Sequence, residues 1–330
     1  LIHRRRLTPN GVTFSSERLE EKSEFLRSTD NWFRPANLIN APDGTLHLVD
    51  MYRETIETPD SMVPEILAMV DFQSGRDHGR VYRLAPKGFQ PPSPPKLGKA
   101  TLSSLVSELE NPNGWWRDTA GRLIFERADQ AALPGLRNIL YESESSLARL
   151  HALHAIVGLG GLSEVDLKVA LSDQSSGVRE HGLRLYRPQF TNLKKRILAL
   201  SADDDPRVRF QAAFTLGDLE GREIAVALAE IAAHDEGGTW IQTAVLSARP
   251  SLALPIFKSL QTKTNRSSYF APLAFIIGAQ NDRDEVTALL EVLRTAPPKF
   301  PVSSVIAKLG EGMKQAGSSL ADRPKAGEVT

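Results

Sequence analysis

The chain contains no cysteine. That excludes disulfides, zinc-thiolate and iron–sulfur ligation, a thiol nucleophile and the Cys-x-x-Cys-His attachment of a c-type haem. It also lacks an excess of charge: 40 Lys and Arg stand against 40 Asp and Glu. No field of one sign therefore draws in nucleic acid or an anionic membrane surface. No run approaches the roughly 18 apolar residues of a membrane span. The opening LIHRRRLTPNG has neither an initiator Met nor the apolar core of a signal peptide, so the chain is expected to be an internal piece of something longer. Arg4, Arg5 and Arg6 read as a solvated face. There is no Gly-x-Ser-x-Gly elbow, phosphate loop or Gly-x-Gly-x-x-Gly, which leaves hydrolase and nucleotide-binding readings without support.

What is present is enough apolar material for a sizeable core, 41% of 330 residues. Two patterns divide it. Trp32 to Glu54 reads WFRPANLINAPDGTLHLVDMYRE, with a Pro42-Asp43-Gly44 turn between alternating apolar runs, the signature of a hairpin. Residues 36–50 and 79–84 predict three short antiparallel strands, with SMVPEILAMVDF between them helical or irregular. The stretch APKGFQPPSPPKLGK, residues 85–99, carries five prolines and reads as a semi-rigid linker.

Beyond the linker the period changes from two to about three and a half. The phrase DPRVRFQAAFTLG, from Asp205 to Gly217, recurs at roughly 30-residue intervals, the length of a helix-turn-helix repeat. With Val208 as the reference position, its equivalents are Trp116, Ala148, Val178, Trp240 and Tyr269. The next place holds Arg117, Arg149, Arg179 and Arg209, giving way to Ile241 and Phe270 in the last copies. Four places on stand Ala120, Ala152, Gly182, Ala212 and Ala244, small enough for close helix packing. The arginines are expected to be structural, paired with acids such as Asp204 or Asp205 or with helix-end carbonyls. The phrase resembles HEAT repeats, specifically the short HEAT-like repeats first described in phycobilin lyases. The expected fold is mainly α: a HEAT-like α-solenoid over 100–315, stacked as a right-handed superhelix, preceded by a small antiparallel β piece. Residues 316–330 read as a flexible tail.

EFLRSTDNWFRPANLINAPDGTLHLVDMYRETIETP, followed by GRDHGRVYRL, resembles the last blade of the β-propeller in the membrane-bound dehydrogenases described in planctomycetes. These are similar in part to quinoprotein glucose and sorbosone dehydrogenases. Where that family has Glu-His-Pro, this chain has Glu57-Thr58-Pro59. The resemblance implies that residues 1–84 are an incomplete terminal blade and that the chain is the C-terminal part of a dehydrogenase-like protein. It further implies that pyrroloquinoline quinone (PQQ), calcium and haem c belong to other segments, and that this chain carries no cofactor and is not itself catalytic. The implied compartment is the periplasm or cell envelope, with the cytoplasm also open. The implied partner on the solenoid is a protein, such as a cytochrome or the upstream propeller blades. Two other readings stand beside it: a pure interaction scaffold without redox chemistry, and a bilin lyase-like protein suggested by the repeat type alone.

Asp50, Arg53 and Glu54 stand where a strand ends, with Arg34 as a further partner. They read as an ion pair pinning the strand exit, or as contacts from the propeller's open side to a polar substrate or cofactor carboxylate. His151 and His154, three apart on a helix, have metal-ligand spacing but no third ligand in the sequence nearby, and read as structural. His47 and His78 read as ordinary histidines. Trp115 and Trp116 are expected to cap the first repeat by packing on the linker prolines. Trp32, Phe33 and Tyr52 are expected where the blade meets that repeat.

Overall fold

The computed structural model describes residues 1–234, 238–261 and 267–322. Five strands precede the helices. β1 (Arg5–Asn10) and β2 (Thr13–Arg18) form a two-stranded sheet turning at Gly11, whose φ of 60° suits a residue without Cβ. Both strands are almost wholly solvent-facing. A separate antiparallel sheet has the order β3 (Pro35–Asn40), β4 (Leu46–Asp50), β5 (Arg80–Leu84), with Leu38 opposite Leu48 and Leu48 opposite Tyr82. The blade-like piece is thus three-stranded, and the first 18 residues lie outside its sheet. Leu48 is fully buried at its centre, and Phe33 packs edge-on against Tyr82.

The β3–β4 turn is built by its own side chains. Asp43 Oδ1 accepts from the Thr45 amide at 3.0 Å and the Thr45 hydroxyl at 2.6 Å, while Gly44 takes φ 81°. The Thr45 hydroxyl holds the Asp43 carboxyl below its ordinary range. The first repeat then grips the turn: Asn113 Nδ2 donates to the Ala41 carbonyl at 2.9 Å and Trp116 Nε1 to the Pro42 carbonyl at 2.8 Å.

By contact density the chain falls into two compact units, Leu1–Pro9 with Phe14–Leu162, and Asn10–Thr13 with the chain from Ser163. In the first, a four-residue α1 (Pro64–Leu67) lies between β4 and β5. The linker ends in a 3-10 turn, Leu97–Lys99, held where Arg127 donates to the carbonyls of Ala100 and Gly98. α2 (Leu102–Ser107), α3 (Gly114–Arg127), α4 (Leu133–Glu142) and α5 (Ser146–Gly158) follow, with α3 on α5 and α2 on α4.

The second unit is itself built of two rows of helices. One row is α7 (Ser176–Leu185), α9 (Pro206–Gly217), α11 (Thr239–Leu246) and α13 (Ser267–Gln280), each packed on the next. The other is α6 (Glu164–Leu171), α8 (Lys194–Ala199), α10 (Arg222–His234), α12 (Ala253–Gln261) and α14 (Arg283–Arg294). α15 (Val302–Gln315) closes on α13. Helices stacked in two rows, with no strand between 100 and 315 among the described residues, are the architecture of an α-solenoid. Of the tail expected at 316–330, Leu320–Asp322 forms a 3-10 turn and residues 323–330 lie outside the described residues.

The reference residues Trp116, Ala148, Val178, Val208 and Tyr269 are each the third residue of their helix. In α11 the third residue is Ile241, which is buried, while Trp240 is 57% exposed. The inward position of that copy is therefore Ile241, one place later than the sequence phrase suggests.

The loops between rows share one hydrogen-bond pattern. Arg117, Arg149, Arg179 and Arg209 each turn Nη1 back onto the carbonyls six and five residues earlier: Asn111 and Pro112, Ser143 and Glu144, Asp173 and Gln174, Asp203 and Asp204. The first residue of each loop also accepts, through its side chain, the amide two residues on, as Asp203 does from Asp205 at 3.0 Å. The expected carboxylate partner Asp204 serves through its backbone carbonyl. Asp205 instead caps α9 and pairs with Arg207. At Arg179 a side-chain charge joins the pattern, Nε and Nη2 meeting both oxygens of Asp203 at 2.8 and 2.7 Å.

At the C-terminal end α13 and α15 meet through glycines. A Cβ on Gly278 would overlap the Leu309 carbonyl oxygen, and one on Gly312 the Phe275 carbonyl oxygen. Gly310 on the same helix has nothing nearer than Leu320 Cδ1 at 3.8 Å. Gly278→Ala is expected to cost about 3 kcal/mol in urea unfolding, because two backbones must part. Gly310→Ala is expected to gain up to about 1 kcal/mol from helix propensity. Equal melting of the two variants would show that the helices do not cross at these glycines.

Candidate functional site

The densest polar and aromatic grouping outside the helices is at the exit of β4, where sequence reasoning places Asp50, Arg53, Glu54 and Arg34. Asp50 is 1% exposed. Its Oδ1 accepts the Arg34 amide at 2.8 Å and the Tyr52 amide at 3.0 Å, so one carboxylate ties the entry of β3 to the exit of β4. Its Oδ2 is buried without a hydrogen-bond partner among the described residues. The Arg34 guanidinium reaches the backbone carbonyls of Asn31, Phe33 and Glu54. The Arg53 side chain donates to the Tyr52 carbonyl at 3.5 Å, and its amide to the Trp32 carbonyl at 3.1 Å. The four residues do gather, but around backbone groups. No ion pair links them among the described residues, and Asp50 faces inward rather than an open side.

The strained residue is Tyr52, which sequence reasoning places at the contact with the first repeat. Tyr52 has φ 50°, a left-handed conformation that a bulky residue takes at a cost of roughly 1–2 kcal/mol. Its surroundings hold it there. Arg80 lies with its guanidinium carbon 3.7 Å from the Tyr52 ring centroid, Trp32 and His78 flank the ring at 5.7 and 6.0 Å, and Gly75 passes over its carbonyl. Asp30 accepts from the Trp32 amide at 2.9 Å and pairs with the Tyr52 hydroxyl; this raises the Tyr52 phenol above 10.0, with burial adding to it. Trp32 and Tyr52 therefore belong to the strand exit and Phe33 to the sheet core, while the blade meets the first repeat at Ala41 and Pro42. A Tyr two residues after a strand-end Asp, with Arg in the closing strand, was the available signal; the positive φ leaves none in the sequence.

Residues 1–88 match the family model of a domain of unknown function, DUF7133. No curated protein matches the chain. Among solved structures, the designed armadillo repeat protein YIII(Dq)4CqI is similar at 16% identity over 64% of this chain and 100% of its own, with a TM-score of 0.20.

The remaining candidates are dispersed. His151 faces Asp118 at 3.9 Å, and burial lowers its pKa against the pull of that acid. His47 accepts weakly from Arg83 at 3.4 Å. Trp115 packs edge-on against Trp116, whose indole N–H is spent on the Pro42 carbonyl rather than on the linker prolines. Among the described residues no three His, Asp or Glu side chains gather as a metal site, and no cysteine is present for haem attachment. At the strand exit Asp50 and Arg34 position backbone groups, and Asp30 holds the Tyr52 hydroxyl.

Gly75→Ala tests that organisation. It combines a positive φ of 82° with overlap on Tyr52 and is expected to cost about 3 kcal/mol, whereas Gly88→Ala, at φ 80° with open space around it, costs about 1 kcal/mol. Thermal unfolding monitored by far-ultraviolet circular dichroism distinguishes them; equal losses would remove Gly75 from the cluster.

Proposed function

We propose that this protein is a helical-repeat docking scaffold which serves as the C-terminal part of a dehydrogenase-like propeller protein and does not itself turn over substrate. The observation that carries the reading is the three-stranded sheet. Its outer strands β3 and β5 have no further strand beside them among the described residues, and they expose Leu38, Ile39, Val81 and Tyr82, with Val81 at 62%. Bare edges with apolar side chains are what a blade retains for neighbouring blades. The Pro-Asp-Gly turn, the strand ending in Asp50 and the closing GRVYRL strand support the dehydrogenase-like assignment by resemblance.

In this reading PQQ, calcium and haem act from other parts of such a protein, in the periplasm or cell envelope. The solenoid offers its stacked helices to a protein, the electron-accepting cytochrome or the propeller itself. Dye reduction with aldose sugars, PQQ and calcium is the test. Residues 1–330 alone are expected to give no turnover, and the chain joined to the blades encoded ahead of Leu1 to give it. Turnover by residues 1–330 alone, or the absence of blade repeats ahead of Leu1, would contradict the reading.

A further inference from the structure

β4 and β5 are adjacent antiparallel strands with Asp50 opposite Arg80, so about two to five residues would suffice to join them. The chain instead spends residues 51–79 on an excursion. A connection of that length in a compact domain has a use of its own.

The excursion is locally ordered. A 3-10 turn at Pro59–Ser61 and α1 at Pro64–Leu67 are closed by backbone hydrogen bonds such as Ser61 to Thr58, Leu67 to Val63 and Met69 to Ile66. Its apolar side chains nevertheless point to solvent: Ile56, Val63, Ile66, Leu67 and Met69 are all exposed, Met69 at 76%. Between Glu54 and Asp71 the sequence holds Glu54, Glu57, Asp60, Glu65 and Asp71 and no Lys, Arg or His, in a chain whose charges balance overall. Glu57, Asp60 and Glu65 are exposed and make no ion pair among the described residues. Apolar side chains held out on a preformed turn and interleaved with unpaired carboxylates match the core and rim of a protein interface. The charge selects the partner's sign, and the local order lowers the entropy lost on docking.

We propose that residues 54–71 are a docking element for a partner protein that offers an apolar groove rimmed by Lys and Arg. The inference does not depend on a dehydrogenase origin. The probe is a fluorescent helical peptide of Leu and Lys, titrated against the full chain and followed by anisotropy, beside a Leu/Glu peptide and an unstructured Gly/Ser/Lys peptide. The Leu/Lys peptide is expected to bind at least about ten-fold more tightly than either control. The triple substitutions Ile66→Ser, Leu67→Ser, Met69→Ser and Glu57→Lys, Asp60→Lys, Glu65→Lys are each expected to weaken it at least about ten-fold with unchanged melting. All six positions are exposed, so neither set removes core packing. Binding unchanged in either set, or no preference of the parent chain for the Leu/Lys peptide, overturns the proposal. So does concentration-dependent dimerisation abolished by the serine set, which assigns the element to a second copy of the chain.

Discussion

An arginine folded back onto two backbone carbonyls is the interaction on which the helical part depends. Each loop between rows leaves carbonyls at the end of one helix without an intrahelical donor. Arg117, Arg149, Arg179 and Arg209 supply that donor from the first turn of the next helix, always six and five residues on. The same loop residue gives its side chain to the amide ahead of it, so one short loop satisfies the end of one helix and fixes the start of the next. At Asp203 the scheme joins two repeats: its carboxylate takes Arg179 and its carbonyl takes Arg209 at 2.5 Å. The Arg179 and Asp203 side chains are only 15% and 7% exposed, so neither charge is tolerable without the other.

The sheet solves a related problem with an acid instead of a base. Asp50 is buried because its oxygen holds two amides at the crossing of β3 and β4, and the turn that follows drives Tyr52 into a left-handed conformation. Arg80, Trp32 and His78 pack around the Tyr52 ring and Gly75 over its carbonyl, which over-determines the strained residue. That rigid exit is the base from which the long β4–β5 excursion projects its apolar and acidic residues.

Periodicity made the repeats legible, because a small residue recurs at one place in five copies and an arginine at another in four. The register slipped where α11 begins at Thr239, since Trp240 looks like an inward residue but Ile241 takes the inward position. The strands 36–50 and 79–84 were legible from alternation around Pro42-Asp43-Gly44. The hairpin of β1 and β2 was not: its strands are exposed on both faces, with no apolar alternation, and only Asn10-Gly11 marked its turn. Asp50 and Arg34 were found as residues, but their partners are main-chain groups, which no side-chain pattern announces.

Unfolding of Arg209→Met in urea tests the arginine account most directly. Methionine keeps most of the apolar stem and removes the donors to the Asp203 and Asp204 carbonyls, and no carboxylate pairs with Arg209 among the described residues to complicate the result. A loss of about 1.5–3 kcal/mol is expected from charge-assisted hydrogen bonds to the part-buried Asp203 carbonyl and the exposed Asp204 carbonyl. Unfolding within error of the parent chain would mean that the loops hold their shape without the arginines.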